Sequence, residues 1–164
     1  MLRALVLTLL IPAVVCLQAC GQRANNSAED RAEIANQLNR YAQLWDQKDS
    51  EGVVALLTEG ATFEWVLSEA DEQPPLVAGR ESILQYTSNA HQVRLAGRQS
   101  RHHFSSLVFE ELSATEAVTV NTLLVTHHLP GETPVVVASG VYRIHWVKTD
   151  GGWLMDYRKL FVDR

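Results

Sequence analysis

The stretch from Arg101 to Leu129, RHHFSSLVFEELSATEAVTVNTLLVTHHL, constrains the fold more than any other part of this chain. Its two halves are long, alternating and rich in β-branched and aromatic residues. The polar Ser113-Ala114-Thr115-Glu116 separates them, so the pattern predicts a β-hairpin. With the turn centred between Ala114 and Thr115, antiparallel pairing sets His102 opposite His127. One face then carries Phe104, Ser106, Val108, Asn121, Leu123 and Val125 beside the two imidazoles. The other carries His103, Ser105, Leu107, Phe109, Val118, Val120, Thr122, Leu124 and Thr126. A hairpin that is largely apolar on both faces belongs inside a sheet. A slip of one residue would exchange His102 for His103, because side chains alternate along a strand.

The remaining elements follow from periodicity and turn chemistry. Ile34, Leu38, Tyr41, Ala42 and Trp45 recur at three-and-four spacing, which predicts a helix starting near Glu29, capped by Ser27 or Asp30, and stopping near Lys48. Asp49 or Ser50 caps a shorter helix through Val53, Val54, Leu56 and Leu57 to Gly60. Residues 61–67 (ATFEWVL) read as a strand, Ser68 to Pro75 as a charged turn, and Leu76 to Ala78 as a very short strand. A third helix begins at Gly79-Arg80, carries Tyr86 and reaches His91. Beyond the hairpin, Pro130-Gly131-Glu132 makes a turn, Val135 to Lys148 a long strand, Thr149 to Gly152 a turn, and Trp153 to Val162 the closing strand.

Three helices ahead of four long antiparallel strands give an α+β domain with its helices collected on one face of a sheet that can curl into a cone. Continuing the pairing through a turn near Gly131-Glu132 puts Val136, Ala138, Gly140, Tyr142 and Ile144 on the face of His102 and His127, with Tyr142 beside Asn121. Imidazole, amide and phenol groups in an apolar wall are the composition of a small-molecule pocket.

At 164 residues, 46% of them hydrophobic, the chain suits one domain with a sizeable core. A formal charge of −5 argues against a nucleic-acid partner, and the arginines from Arg94 to Arg101 read as a solvated loop. Arg3 followed by the apolar run Ala4 to Val15 reads as a targeting segment, residues 1–19. Leu17-Gln18-Ala19-Cys20 resembles the lipobox of bacterial lipoproteins. That resemblance implies cleavage before Cys20, palmitate-bearing lipid on its thiol, a tether over residues 20–28, and a domain over 29–164 anchored in the bacterial cell envelope, at the periplasmic side of the outer membrane if the source is Gram-negative. The other cysteine, Cys16, leaves with the signal, so the mature domain is expected to hold neither free thiol nor disulfide. The apolar outer residues Leu107, Phe109, Val118, Val120 and Leu124 lead us to expect a homodimer.

Several motifs, in order, carry a wider resemblance: RYAQLWDQKD, ALLTEGATFEW, GRESI, SRHHFSS and SGVYRIHWVKTDGGW. Together they resemble the SnoaL-like branch of the nuclear transport factor 2-like fold, which implies three helices on a strongly curved, mostly antiparallel sheet. The family is functionally diverse, so fold alone does not assign chemistry. Similarity to the scytalone dehydratases implies that Asp46 is an orienting carboxylate and that His102 and His127 are the two cone histidines. Trp45 and Trp65 stand where those enzymes use tyrosines, Tyr142 stands for an asparagine, and Ser106 stands where many relatives have asparagine. An indole donates but does not accept, so the substrate and reaction need not be the dehydratase's.

Histidine moves protons near neutral pH, and a carboxylate beside it fixes its tautomer. Asp46, His102 and His127 are therefore the candidate catalytic set of a cofactor-independent lyase or isomerase. The expected substrate is a small, mostly apolar, oxygenated molecule. Tyr41, Trp45, Trp65, Phe104, Ser106, Asn121 and Tyr142 are the candidate pocket lining. The alternative is a non-catalytic lipoprotein that binds a ligand or docks a partner, with Asp46 a helix end and the histidines hydrogen-bonded wall residues. Two histidines and a carboxylate also match a non-haem metal set, but no close ligand spacing accompanies them, so neither metal nor cofactor is expected. Ser105, Ser106 and Ser139 lack the glycines of a nucleophile elbow. His91, His103, His128 and His145 read as surface or edge residues.

Overall fold

The computed structural model describes residues 12–67 and 72–163, with side chains from Ser27 onward. Helix α1 spans Pro12–Gln47, so its backbone extends upstream of the start expected at Glu29. Asp30 is consequently not a cap. It lies inside the helix, is buried, and accepts hydrogen bonds from Lys148 Nζ at 2.5 Å and Trp153 Nε1 at 2.9 Å. Those bonds tie α1 to the last two strands. The targeting segment falls largely on residues 1–11, outside the described part, as does the side chain of Cys20. Among the described residues no helix is long and apolar enough to cross a membrane.

The last turn of α1 closes through Lys48, whose φ of 61° lies in the left-handed region. Lys48 N–H donates to Trp45 O at 3.0 Å and Asp49 N–H to Leu44 O at 2.9 Å, which satisfies carbonyls that the helix end would leave unpaired. Asp49 then caps α2, Ser50–Ala55, by accepting from Gly52 N–H at 2.8 Å. This helix stops before the expected Gly60 because Leu57 already pairs with Met155 in the sheet. Strand β1 spans Leu57–Val66 and β2 spans Val77–Ala78. Residues 68–71 of the expected Ser68 to Pro75 turn lie outside the described part. Helix α3, Arg80–Asn89, runs into a π-helical turn, Ala90–Arg94. Strands β3 (Gln99–Leu112), β4 (Glu116–His128), β5 (Val135–Thr149) and β6 (Gly152–Val162) complete the fold.

The strands order as β2-β1-β6-β5-β4-β3, antiparallel throughout except where β1 and β6 run parallel. The helices cover the concave face. Between them lies the core, where Ile34, Leu38, Tyr41 and Ile83 meet Phe63, Ile144, Trp146, Trp153 and Met155. This is the expected α+β cone of three helices on a curved sheet.

The register explains how that cone departs from simple alternation. Next to the turn, Leu112 faces Ala117 and Glu111 faces Val118, as expected for a turn centred between Ala114 and Thr115. Two bulges follow, between Phe109 and Glu111 and between Ser105 and Val108, and each slips the pairing by one residue. At the far end His102 therefore faces Val125, and His127 faces Ser100. Two slips restore the face, so both histidines still share one side. Between the bulges the faces are exchanged. Leu107 and Phe109 turn toward the helices, where Arg31 sits 4.5 Å over the Phe109 ring, and Val108 turns outward. The outer apolar set expected to support a homodimer thus loses Leu107 and Phe109. In β5, Tyr142 pairs with Asn121 as expected, but a bulge near Val125 sends Val136 to the outside.

Candidate active site

Asp46 sits in the final turn of α1, beneath β3. Its Oδ1 accepts from Ser100 Oγ at 3.0 Å and pairs with His102 Nδ1 at 2.8 Å, and its Oδ2 accepts from the backbone N–H of His102 at 2.9 Å. Gln99 Nε2 donates to the Asp46 carbonyl at 3.1 Å. The C-terminal end of a helix is an unfavourable place for a negative charge, so these bonds hold a carboxylate against the helix dipole. Burial alone would raise the Asp46 pKa. The bonds from His102 and Ser100 and the attraction of the imidazole outweigh it, and the net direction is down. Asp46 is therefore ionised at neutral pH.

An ionised carboxylate only accepts, so His102 carries its proton on Nδ1, and the lone pair of its neutral form lies on Nε2. The ring lines a cavity of about 290 Å³, roomy enough for a single-ring molecule. Trp45, Trp65, Leu123, Val125, Ala138 and Leu160 make its apolar wall, and His127, Tyr142, Arg94 and Arg158 are further polar members. The cross-strand pairs of Ser100 with His127 and of His102 with Val125 make the two histidines diagonal neighbours on one face. Burial lowers the His127 pKa, and repulsion from His102 and Arg98 adds to this against the pull of Asp46, so His127 is a neutral imidazole at neutral pH.

The structure thus brings Asp46, His102 and His127 together, with Trp45, Trp65 and Tyr142 in the surrounding wall. Four expected lining residues fall elsewhere. Tyr41 is fully buried beneath the cavity. Phe104, Ser106 and Asn121 border a second, smaller cavity of about 200 Å³. Ser106 occupies the bulge, at φ 54°, where the backbone no longer aims its side chain at the main pocket. Phe104 meets Tyr142 edge-on at 5.6 Å, each ring facing its own cavity. His91, read as a surface residue, is buried. Its Nδ1 pairs with Ser50 Oγ at 2.7 Å, and its ring stands edge-on to Trp45 at 4.8 Å. The π-helical turn rotates it inward.

Arg158 is the residue sequence reasoning missed. It is 2% exposed, its Nη1 donates to the Tyr41 hydroxyl at 2.6 Å, and its guanidinium lies 3.8 Å over Phe63, 4.9 Å over Trp65 and 5.2 Å over Tyr142. Alternation from the inward Trp153 and Met155 would point Arg158 to solvent. The pairing of Trp146 with Met155 but of His145 with Tyr157 marks a bulge at Asp156, which turns Arg158 and Leu160 inward instead. The inward Leu160 two residues on was the one available signal.

A sequence model described as a SnoaL-like domain matches residues 26–159. Among solved structures, the chain is similar to a nuclear transport factor 2-like protein with a cystatin-like fold from Novosphingobium aromaticivorans, at 20% identity and TM-score 0.75. That match covers 93% of this chain and 91% of the other. It is also similar to a candidate scytalone dehydratase from the same organism, at 20% identity and TM-score 0.71, covering 86% and 89%. A Catenulispora acidiphila protein in complex with S-DNPA matches at 22% identity and TM-score 0.69, covering 83% and 95%. At these identities the structural likeness shows the fold. No curated protein sequence is significantly similar to the chain.

Proposed function

The chain belongs to the SnoaL-like family, and from that premise we propose that its cone carries out cofactor-independent lyase or isomerase chemistry on a small, largely apolar, oxygenated molecule. The observation that carries this reading is the hydrogen-bonded Asp46 carboxylate on Nδ1 of His102, with the imidazole in the wall of a cavity. A side chain held by packing alone would not need three bonds at an unfavourable helix end. In the proposed step, Nε2 of His102 takes a proton from a carbon next to a carbonyl, and the electron pair of the C–H bond passes to the carbonyl oxygen. The imidazolium, stabilised by Asp46, then returns the proton to another carbon, or gives it to a departing hydroxyl that leaves as water. His127, neutral and adjacent, serves as a hydrogen-bond partner to the substrate oxygen. The wall of Trp45, Trp65 and Leu160 excludes water and selects an apolar body.

Mass spectrometry of small molecules that co-purify with wild type and with His102→Ala tests this. We expect a recovered ligand to be turned over by wild type and not by the variant. The same ligand carried unchanged by both proteins would instead establish a binding module.

Attachment of the domain to a membrane through lipid on Cys20 is part of the same proposal and rests on the Leu17-Gln18-Ala19-Cys20 motif behind an apolar run. In a bacterial host, the mature protein is expected to begin at Cys20 and partition with membranes into detergent. Cys20→Ser is expected to leave uncleaved precursor or release soluble protein. Wild type found free in the soluble fraction would overturn the anchor.

A further inference from the structure

Arg158 is a buried cation without a counter-anion. Among the described residues it forms no ion pair, and its Nε and Nη2 have no hydrogen-bond partner. Leaving a desolvated charge unpaired is strongly destabilising. The aromatic sleeve of Phe63, Trp65 and Tyr142 offsets part of this through cation–π contact. The phenols do not supply the missing charge. Burial pushes the pKa values of both Tyr41 and Tyr142 up, so both remain neutral. Asp46, the carboxylate behind the cavity wall, is already engaged by His102 and Ser100.

The geometry of what is unpaired is specific. The rings cover the faces of the guanidinium, and Tyr41 takes Nη1, leaving the in-plane side made by Nε–H and Nη2–H. Two parallel N–H groups on one edge are the fork that receives both oxygens of a carboxylate. Arg158 lines the same cavity as His102.

We propose that Arg158 is the anion-binding residue of this pocket, and that the ligand carries a carboxylate on an apolar body of about one ring. The proposal deepens the reading of this cavity given above but does not depend on turnover. It makes the substrate class a small carboxylic acid whose carboxylate docks on the Arg158 fork while its reactive carbon meets Nε2 of His102.

The test is calorimetric titration of the intact protein with benzoate and with benzamide, its neutral counterpart, at about pH 9, above the ordinary imidazole range. Benzoate is expected to bind about tenfold or more tightly than benzamide, the margin of one charge-assisted bidentate contact. Equal affinities would overturn the proposal. Arg158→Lys is expected to lose most of the preference, because an ammonium presents no fork, and Arg158→Gln all of it. Full preference in either folded variant would overturn the assignment. Arg94→Gln is expected to retain the preference, and its loss there would move the anion site to the mouth of the cavity and also overturn it. Should the Arg158 variants not fold, the Arg158 Nε–H resonance of wild type must shift with benzoate and not with benzamide; no shift rejects the proposal. His102→Ala is expected to keep the benzoate preference while abolishing turnover, so the anion site and the acid–base chemistry can fail separately.

Discussion

Replacing Asp46 with asparagine is expected to lower turnover by about 10²- to 10⁴-fold, the range of a lost general base. Asparagine keeps the size of the carboxylate but has one acceptor oxygen where His102 needs two, one for its backbone N–H and one for its Nδ1–H. If the amide oxygen serves the backbone, the amide NH₂ faces Nδ1, which must then accept, and the ring proton moves to Nε2. The lone pair that the proposed proton transfer requires is gone. Nitrogen-15 spectra of the His102 ring read this directly. Wild type is expected to show a protonated Nδ1 and an unprotonated Nε2, and Asp46→Asn the reverse. An unchanged tautomer in the variant would refute the orienting role. The substitution also changes acid stability. Because the Asp46 pKa is lowered in the fold, its contribution is complete above the ordinary carboxylate range and is lost as pH falls through the lowered value. Asp46→Asn removes that titration, so its Tm is expected to fall less steeply on acidification than that of wild type.

Trp146→Ala is expected to destabilise the fold by about 3–5 kcal/mol, which is a large share of the about 5–15 kcal/mol that holds a domain together. Trp146 is fully buried in the core between helices and sheet, and its Nε1 donates to the equally buried Thr119 Oγ1 at 2.8 Å. Truncation therefore empties a large volume in close-packed surroundings and strips a buried hydroxyl of its donor. Urea unfolding is expected to show a lower midpoint with an unchanged slope. A loss under about 1 kcal/mol would mean that the core collapses around the gap. Trp146→Phe keeps most of the volume and is expected to recover much of the loss, which separates the packing contribution from the hydrogen bond.

Much of this molecule was legible before its structure. Three helices followed by long antiparallel strands could be read from periodicity, and the turn at Ser113 to Glu116 set the pairing next to it correctly. Asp46 and His102 could be singled out, and Tyr142 could be placed opposite Asn121. Yet the reason for keeping His102 and His127 on one face was incomplete. They share it because two bulges cancel, not because the strands run without a slip.

What the sequence by itself determined is the order and kind of the elements, because helical and strand periodicity, caps and turn residues act over a few neighbouring positions. It also determined which chemistry was on offer, a carboxylate and imidazoles with no thiol in the expected mature domain. Only the tertiary structure decided where the bulges fall, since their placement answers to the curvature that wraps the sheet round its helices, a property of the whole fold. Each bulge reverses every side chain beyond it. That reversal turned Leu107 and Phe109 inward, moved Ser106 out of the main pocket and, on the final strand, carried the Arg158 guanidinium out of water and into the wall that His102 shares.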